Sequence, residues 1–406
     1  MTVQVEPTPT RPWRDRKRYL WPLATVMPGM PFFAAGLVSL TGVSAFWWLG
    51  PFILFVLLPA LDLLIGRTDD NPPEDERERL EADRWYRWVT YLFLPVQYAG
   101  LAFACWLWAT ADLAWYDALG LALTVGVVSG VAINTAHELG HKREQAERWL
   151  SKIALASSGY GHFYVEHNRG HHVRVATPED PASSRLGESF WAFLPRTVWG
   201  SLRSSWHLED KRLSKKKTTR PWDNELFVAW SMTVVLFVVL VAVFGPVVLP
   251  WLLLQAVVGF TLLEIVNYLE HYGLLRQKRD DGRYERTDPR HSWNADHTVS
   301  NLLLYQLQRH SDHHANPTRR YQVLRHFEES PQLPSGYGTM IVIALFPPLW
   351  RRVMDPRVLA HYDGDVTRAN ILPRKRERIL ARYGSSASTS RDARAASTPD
   401  EVNTAR

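Results

Sequence analysis

The chain alternates between long stretches without charge and segments crowded with it. Its 47 Lys and Arg are absent from three windows, Tyr19 to Gly66, Trp88 to His141 and Asn224 to Leu275. Tyr19 to Leu61 runs 43 residues with no charged side chain, and Leu226 to Leu263 runs 38. A helix crossing a bilayer needs about 20 apolar residues, so each run holds a helical hairpin. Leu40-Thr41-Gly42 breaks the first run, Gly245-Pro246 and Pro250 break the second, and Ala111-Asp112 divides the middle window. The pattern predicts an all-α fold, a six-transmembrane-helix bundle with spans near 19–40, 45–66, 88–110, 113–136, 226–245 and 248–271.

Basic residues fill segments 67–87 and 142–223 and both tails, while the short intervening loops carry none. By the positive-inside rule, both termini and the polar segments 67–87, 142–223 and 276–384 face the cytoplasm, where the segments form a helical cap. Trp85 and Trp88 fall at a cytoplasmic end, and Trp47, Trp48, Trp115 and Trp251 near the outer ends, as interfacial anchors do. Residues 1–18 and 385–406 read as disordered polar tails around a membrane domain at 19–384. No removable signal peptide is expected before the first span. Tyr337 to Trp350 is apolar, but with its Pro-Pro it is too short and broken to span, and reads as an interfacial segment.

Composition alone would have suggested a soluble chain, at 46% apolar, 22% charged and mean hydropathy −0.20. That average conceals the segregation. The net charge of +6 needs no nucleic acid, because cytoplasmic flanks and anionic lipid headgroups account for it. The single cysteine, Cys105, excludes an internal disulfide and a four-cysteine zinc or iron–sulfur site.

Ten of the 15 histidines fall in three stretches. His137-Glu138-Leu139-Gly140-His141 ends the fourth span. Glu166-His167-Asn168-Arg169-Gly170-His171-His172 follows, and His310-Ser311-Asp312-His313-His314 has His291 and His297 upstream of it. His271 closes the sixth span in Asn267-Tyr268-Leu269-Glu270-His271-Tyr272-Gly273. Spacings of three and four place imidazoles on one helix face, within reach of a common metal. His162, His207, His326 and His361 stand alone and read as solvated side chains. HExxH at 137–141 is also the zinc-protease signature, with the Glu as base. A catalytic zinc needs three protein ligands. The surplus of imidazoles argues for two metals, and imidazole suits iron, copper and zinc alike.

HELGHK (137–142), EHNRGHHVRVATPEDPAS (166–183), NYLEHYG (267–273) and LQRHSDHHANPTRRYQ (307–322) resemble the signature blocks of the bacterial membrane alkane 1-monooxygenases. The likeness extends from about Tyr19 to Arg382 and includes NPPEDE at 71–76. Their HxxxH, HxxxHH and HxxHH pattern is similar to that of membrane fatty acid desaturases and hydroxylases. The resemblance implies a non-haem diiron centre held by His137, His141, His167, His171, His172, His271, His310, His313 and His314. It implies no haem, flavin or nucleotide bound by this chain. Glu138, Asp312, Glu270 and Asp296 are the carboxylates expected to orient the imidazoles by accepting their other N–H. His291 and His297 rank below the nine.

The implied reaction is n-alkane + O2 + two electrons + two protons giving a 1-alkanol and water, in a bacterial inner membrane. An unactivated C–H bond offers no acid, base or leaving group, so the oxidising chemistry belongs to the metal and the protein supplies binding and orientation. The electrons come from outside, which implies a separate rubredoxin and its NAD(P)H-dependent reductase. Asp62 should face the bundle, since a lipid-facing carboxylate is costly. Leu58, Phe55 and Leu54 would then share its face and line an alkane channel. Arg309, Arg319, Arg320 and Arg325, with Lys215, Lys216 and Lys217, are candidates for receiving an acidic electron carrier, or equally membrane-surface charge. The rival readings are a diiron lipid desaturase or hydroxylase, an intramembrane zinc protease and a metal transporter.

Overall fold

Helix signals in the sequence act where they stand. The Asn224 carboxamide caps a helix by accepting the N–H groups of Leu226 (2.9 Å) and Phe227 (3.2 Å), and Asp83 caps another through Trp85 N–H (3.0 Å). Gly42 and Gly245, at φ 73° and 87°, end the helices before them. The structure, a computed structural model, describes residues 13–384, and the tails expected at 1–12 and 385–406 lie outside the described residues. Among the described residues there is no strand, only helices and four isolated bridges.

Five helices are long and apolar enough to cross a membrane: Ser44–Ile65, Arg84–Thr110, Trp115–Gly140, Glu225–Phe244 and Pro246–His271. The first expected span differs. Its residues form a 3-10 stretch, Trp21–Val26, followed by a helix of 12 residues, Met30–Thr41. That helix is about 18 Å long, short of the roughly 30 Å hydrocarbon core. Pro22, Pro28 and Pro31 lack the amide hydrogen that a continuous helix uses, so the stretch breaks.

In chain order we label α1 (Met30–Thr41), α2 (Ser44–Ile65), α3 (Arg84–Thr110), α4 (Trp115–Gly140), α5 (Gln145–Ala156), α6 (163–174), α7 (Phe190–Lys216), α8 (Glu225–Phe244), α9 (Leu249–His271), α10 (Thr298–Leu303), α11 (His310–Ala315), α12 (Tyr337–Leu345) and α13 (Pro347–His361). Helices α4 and α9 run side by side in the same direction. Gly126 faces Val258, and Gly130 faces Leu262 one turn further on. A Cβ on Gly126 would stand 2.6 Å from that of Val258, so the glycine permits the close approach. Both helices end on histidine residues, His137 and His141 for one and His271 for the other. Segments α6 and α11 close over that end.

One expectation about the margins is corrected and another is sharpened. Residues 13–18, expected within a disordered tail, are anchored: Asp15 Oδ2 accepts from Trp21 Nε1 and Tyr86 Oη, both at 2.9 Å, and Arg18 pairs with Asp83. The apolar run 337–350 packs one face on the core and leaves Phe346 and Leu349, 58% and 44% exposed, on the other. Tyr337 Oη donates to Glu270 Oε1 at 2.6 Å, and fully buried Trp350 packs on the rings of Tyr268 and Tyr272. A run too short to cross hydrocarbon buries part of its apolar surface by packing on α9.

Candidate metal centre

The nine histidines singled out in the sequence gather at one place, in two groups. Ring nitrogens of His137, His141, His167, His172 and His313 all lie within 4.8 Å of one another, and so do those of His171, His271, His310 and His314. Each group draws on distant parts of the chain. α4 contributes HExxH, α6 alternates its three histidines between the groups, α9 delivers His271, and α11 sends His313 to one group and His310 and His314 to the other. In α6 the stretch His167–His171 is a wide π turn, and the rings of His167 and His171 remain neighbours across it, 5.2 Å apart, although they serve different groups.

The donor set fits metal ions. His137 Nε2, His141 Nε2 and both nitrogens of His271 are buried with no hydrogen-bond partner. Elsewhere, imidazole nitrogens face each other: His172 Nε2 is 3.0 Å from His167 Nε2 and 3.1 Å from His313 Nε2. His314 Nε2 is 2.8 Å from His310 Nε2 and 3.2 Å from His171 Nε2. Two ligand nitrogens about 2.1 Å from one ion and at right angles would be about 3.0 Å apart. Facing nitrogens can share only one proton between them, whereas a metal accepts every lone pair. Burial holds the imidazoles of His141, His167, His172, His310, His313 and His314 well below their ordinary pKa, with neighbouring histidines adding to the effect. They are therefore neutral, the form that ligates.

The family model described as Fatty acid desaturase matches residues 113–344, a stretch that contains all nine histidines. An alkane 1-monooxygenase of Acinetobacter baylyi is 48% identical over 375 residues, 91% of this chain and 92% of that protein. One of Ectopseudomonas oleovorans is 47% identical over 373 residues, 92% and 93% of the two chains. The chain belongs to the fatty acid desaturase family, in its alkane 1-monooxygenase branch. A more distant relative, the xylene/toluene monooxygenase hydroxylase component of Pseudomonas putida, is 24% identical over 352 residues, 85% of this chain and 89% of that one.

The carboxylates of this family member are deployed differently from the expectation. Glu138 is taken by Lys142 Nζ at 2.9 Å and the N–H of Tyr321 at 3.2 Å, so it neither orients an imidazole nor is free to act as the base of a zinc protease. Asp312 accepts from Arg325 and Asn316, and Asp296 from His326. Glu270 does reach the cluster, with Oε2 3.1 Å from His310 Nε2. The carboxylate the sequence reading missed is Asp180, whose Oδ2 lies 2.9 Å from His171 Nδ1. It stands in the ATPEDPAS block, nine residues past its imidazole, where no helical period connects the two.

His291 and His297 stay outside both groups. His291 is held by Glu285 (3.0 Å) and Asp288, and His297 by Arg67 (3.4 Å). Of the lone histidines only His207 is exposed; His162 is buried against Tyr160, and His326 and His361 are half-buried.

Of the four arginines proposed for docking, Arg309, Arg319 and Arg320 are buried and Arg325 is half-buried. Arg309 is 1% exposed and donates to the carbonyls of Thr68, Asp70 and Leu324. Arg319 and Arg325 bind Glu74 and approach Asp312, and Arg320 chelates Glu147. A guanidinium already committed to acceptors within the chain is less available to a partner, so these residues brace the cap. Lys215, Lys216 and Lys217 remain exposed.

One cavity reaches the metal centre from the membrane-spanning region. Its apolar wall includes Leu54, Leu58, Val131, Leu262 and Ile341, and its inner end His137, His167 and His310. Leu54 and Leu58 thus stand where they were expected. Phe55 does not line it and packs in the core instead. The reason is a π turn at Ile53–Leu57, which keeps residues four apart in line and swings those three apart off the face. Asp62 faces inward as expected, accepting the N–H and hydroxyl of Ser300.

Proposed function

We propose that this protein is a membrane non-haem diiron monooxygenase that hydroxylates the terminal carbon of medium- to long-chain n-alkanes to 1-alkanols. The observation that carries the reading is the apolar cavity whose inner wall holds His137 and His167 of one histidine group and His310 of the other. Each group would hold one iron. Bound iron supplies the reduction of O2 and the insertion of one oxygen atom into a C–H bond, and the second oxygen leaves as water.

The chain's own residues do the rest. Leu54, Leu58 and their neighbours exclude water and hold an alkane by apolar burial alone. The cavity lining contains no Lys or Arg, so it offers no cation to pair with the carboxylate or phosphate of a lipid substrate, which favours a plain hydrocarbon over an acyl lipid. Asp180 orients His171 through Nδ1, whereas Glu270 Oε2 stands beside His310 Nε2, the nitrogen that faces His314.

Two electrons would come from a separate rubredoxin with its NAD(P)H-dependent reductase. His141 and His172 are the two of the nine that are not fully buried, and exposed Arg143 stands beside the first. An acidic carrier would approach there. In a bacterial inner membrane this surface and both termini face the cytoplasm, with the segment before α2 completing a sixth crossing.

The test is reconstitution: purified protein with iron, rubredoxin, reductase and NADH, supplied with octane and hexadecane. The expected products are the 1-alkanols. Iron-loaded protein that gives no alcohol from any alkane in that range would overturn the assignment, and an alkene or a hydroxylated fatty acid would favour the lipid-modifying alternative.

A further inference from the structure

A second recess, about 230 Å3, shares no lining residue with the cavity just described and opens between α5, the last turn of α7 and the first turn of α8. Its walls carry four cations, Arg148, Lys152, Arg212 and Lys216, against two carboxylates, Asp223 and Glu225. Those carboxylates are already occupied. Glu225 holds Lys152 (2.8 Å) and Arg169 (3.1 Å), and Asp223 accepts from Thr218 Oγ1 (2.7 Å). Arg212 is held by Glu209 at 2.5 Å. Arg148 and Lys216 have no carboxylate partner among the described residues, so the recess keeps an excess of positive charge.

Its surroundings identify the medium it faces. Val228 on its wall lies one turn inside α8, and Val235 and Val239, on the same face of that helix, are 60% and 51% exposed. Such a valine face is stable only against lipid. Trp222, 70% exposed at the rim, has the amphipathic ring that sits at headgroup level. A cationic recess continuous with a lipid-facing helix matches the headgroup sites of anionic lipids.

We propose that this recess binds the phosphate of an anionic phospholipid whose acyl chains lie along α8. The full-length protein in zwitterionic detergent, titrated with phosphatidylglycerol and read by native mass spectrometry, tests this. A discrete bound lipid is expected. Arg148→Gln with Lys216→Gln weakens it on the order of tenfold, whereas Arg148→Lys preserves it. Lys215→Gln with Lys217→Gln, the same charge lost beside the recess, leaves it unchanged. Equal weakening by both pairs, equal binding of phosphatidylcholine, or displacement by inorganic phosphate at matched concentration would overturn the proposal. Iron content unchanged in every variant shows that the fold is intact, and keeps this test separate from that of the metal centre.

Discussion

Asp180 Oδ2 stands 2.9 Å from His171 Nδ1 and also accepts the hydroxyl of Ser183 at 2.6 Å. Ser183 Oγ in turn accepts the N–H of Ala176, so the loop after α6 is folded around this carboxylate. The pairing fixes the His171 tautomer and directs Nε2 toward His314, 3.2 Å away. Removing the charge with Asp180→Asn should weaken metal binding about 10- to 100-fold while leaving helix content unchanged. Iron retained per chain after dialysis against graded chelator checks this.

The division into five and four histidines makes a stoichiometric prediction. His313→Ala removes a ligand from the first group and His314→Ala one from the second. Each single variant should lose mainly one of two metals, and the double variant both. Elemental analysis of the purified variants would show a single site if either substitution emptied the centre completely.

Cavity shape predicts which residue sets chain length. Leu54→Trp fills space in the lining and should shift turnover toward shorter alkanes, whereas Phe55→Ala, outside the wall, should leave the product distribution in place. Gas chromatography of the alcohols formed from an equimolar alkane mixture reads the outcome. An effect confined to Phe55→Ala would assign the channel to another face of α2.

The arginines of the cap should behave as structure rather than as docking residues. Arg320→Gln leaves Glu147, itself fully buried, without its cation, and breaking such a pair costs about 3–5 kcal/mol. The expected result is a lower unfolding temperature with no change in the salt dependence of turnover. Thermal unfolding and turnover at graded ionic strength separate the two.

Burial brings the His162 imidazole down to about 4, below its ordinary value near 6.5. The unfolded chain then takes up a proton between pH 6.5 and 4 that the folded chain refuses, so stability falls as pH falls through that window. His162→Asn should flatten the slope of melting temperature against pH there, measured at constant metal occupancy.

Periodicity and charge segregation made the long helices legible, because a bilayer or a packed bundle tolerates few charges along such stretches. The histidine spacing likewise marked eight of the nine residues that meet, and the family resemblance supplied His271 and set His291 and His297 below them. The first expected span is broken into two helical pieces because prolines interrupt hydrogen bonding in a stretch that composition alone scores as apolar. Phe55 was misplaced for a related reason, a wide turn that shifts the helical phase and leaves no clear mark in the residues themselves.

What the sequence determined by itself is therefore the element pattern and the identity of the gathered imidazoles. The tertiary structure alone decided how they divide, since α6 and α11 each send histidines to both groups. It also decided which charges are spent internally: Glu138 on Lys142, Asp312 on Arg325 and Arg320 on Glu147, with Asp180 left to His171. Such pairings depend on which distant side chains are desolvated together, a property of packing that no local spacing encodes.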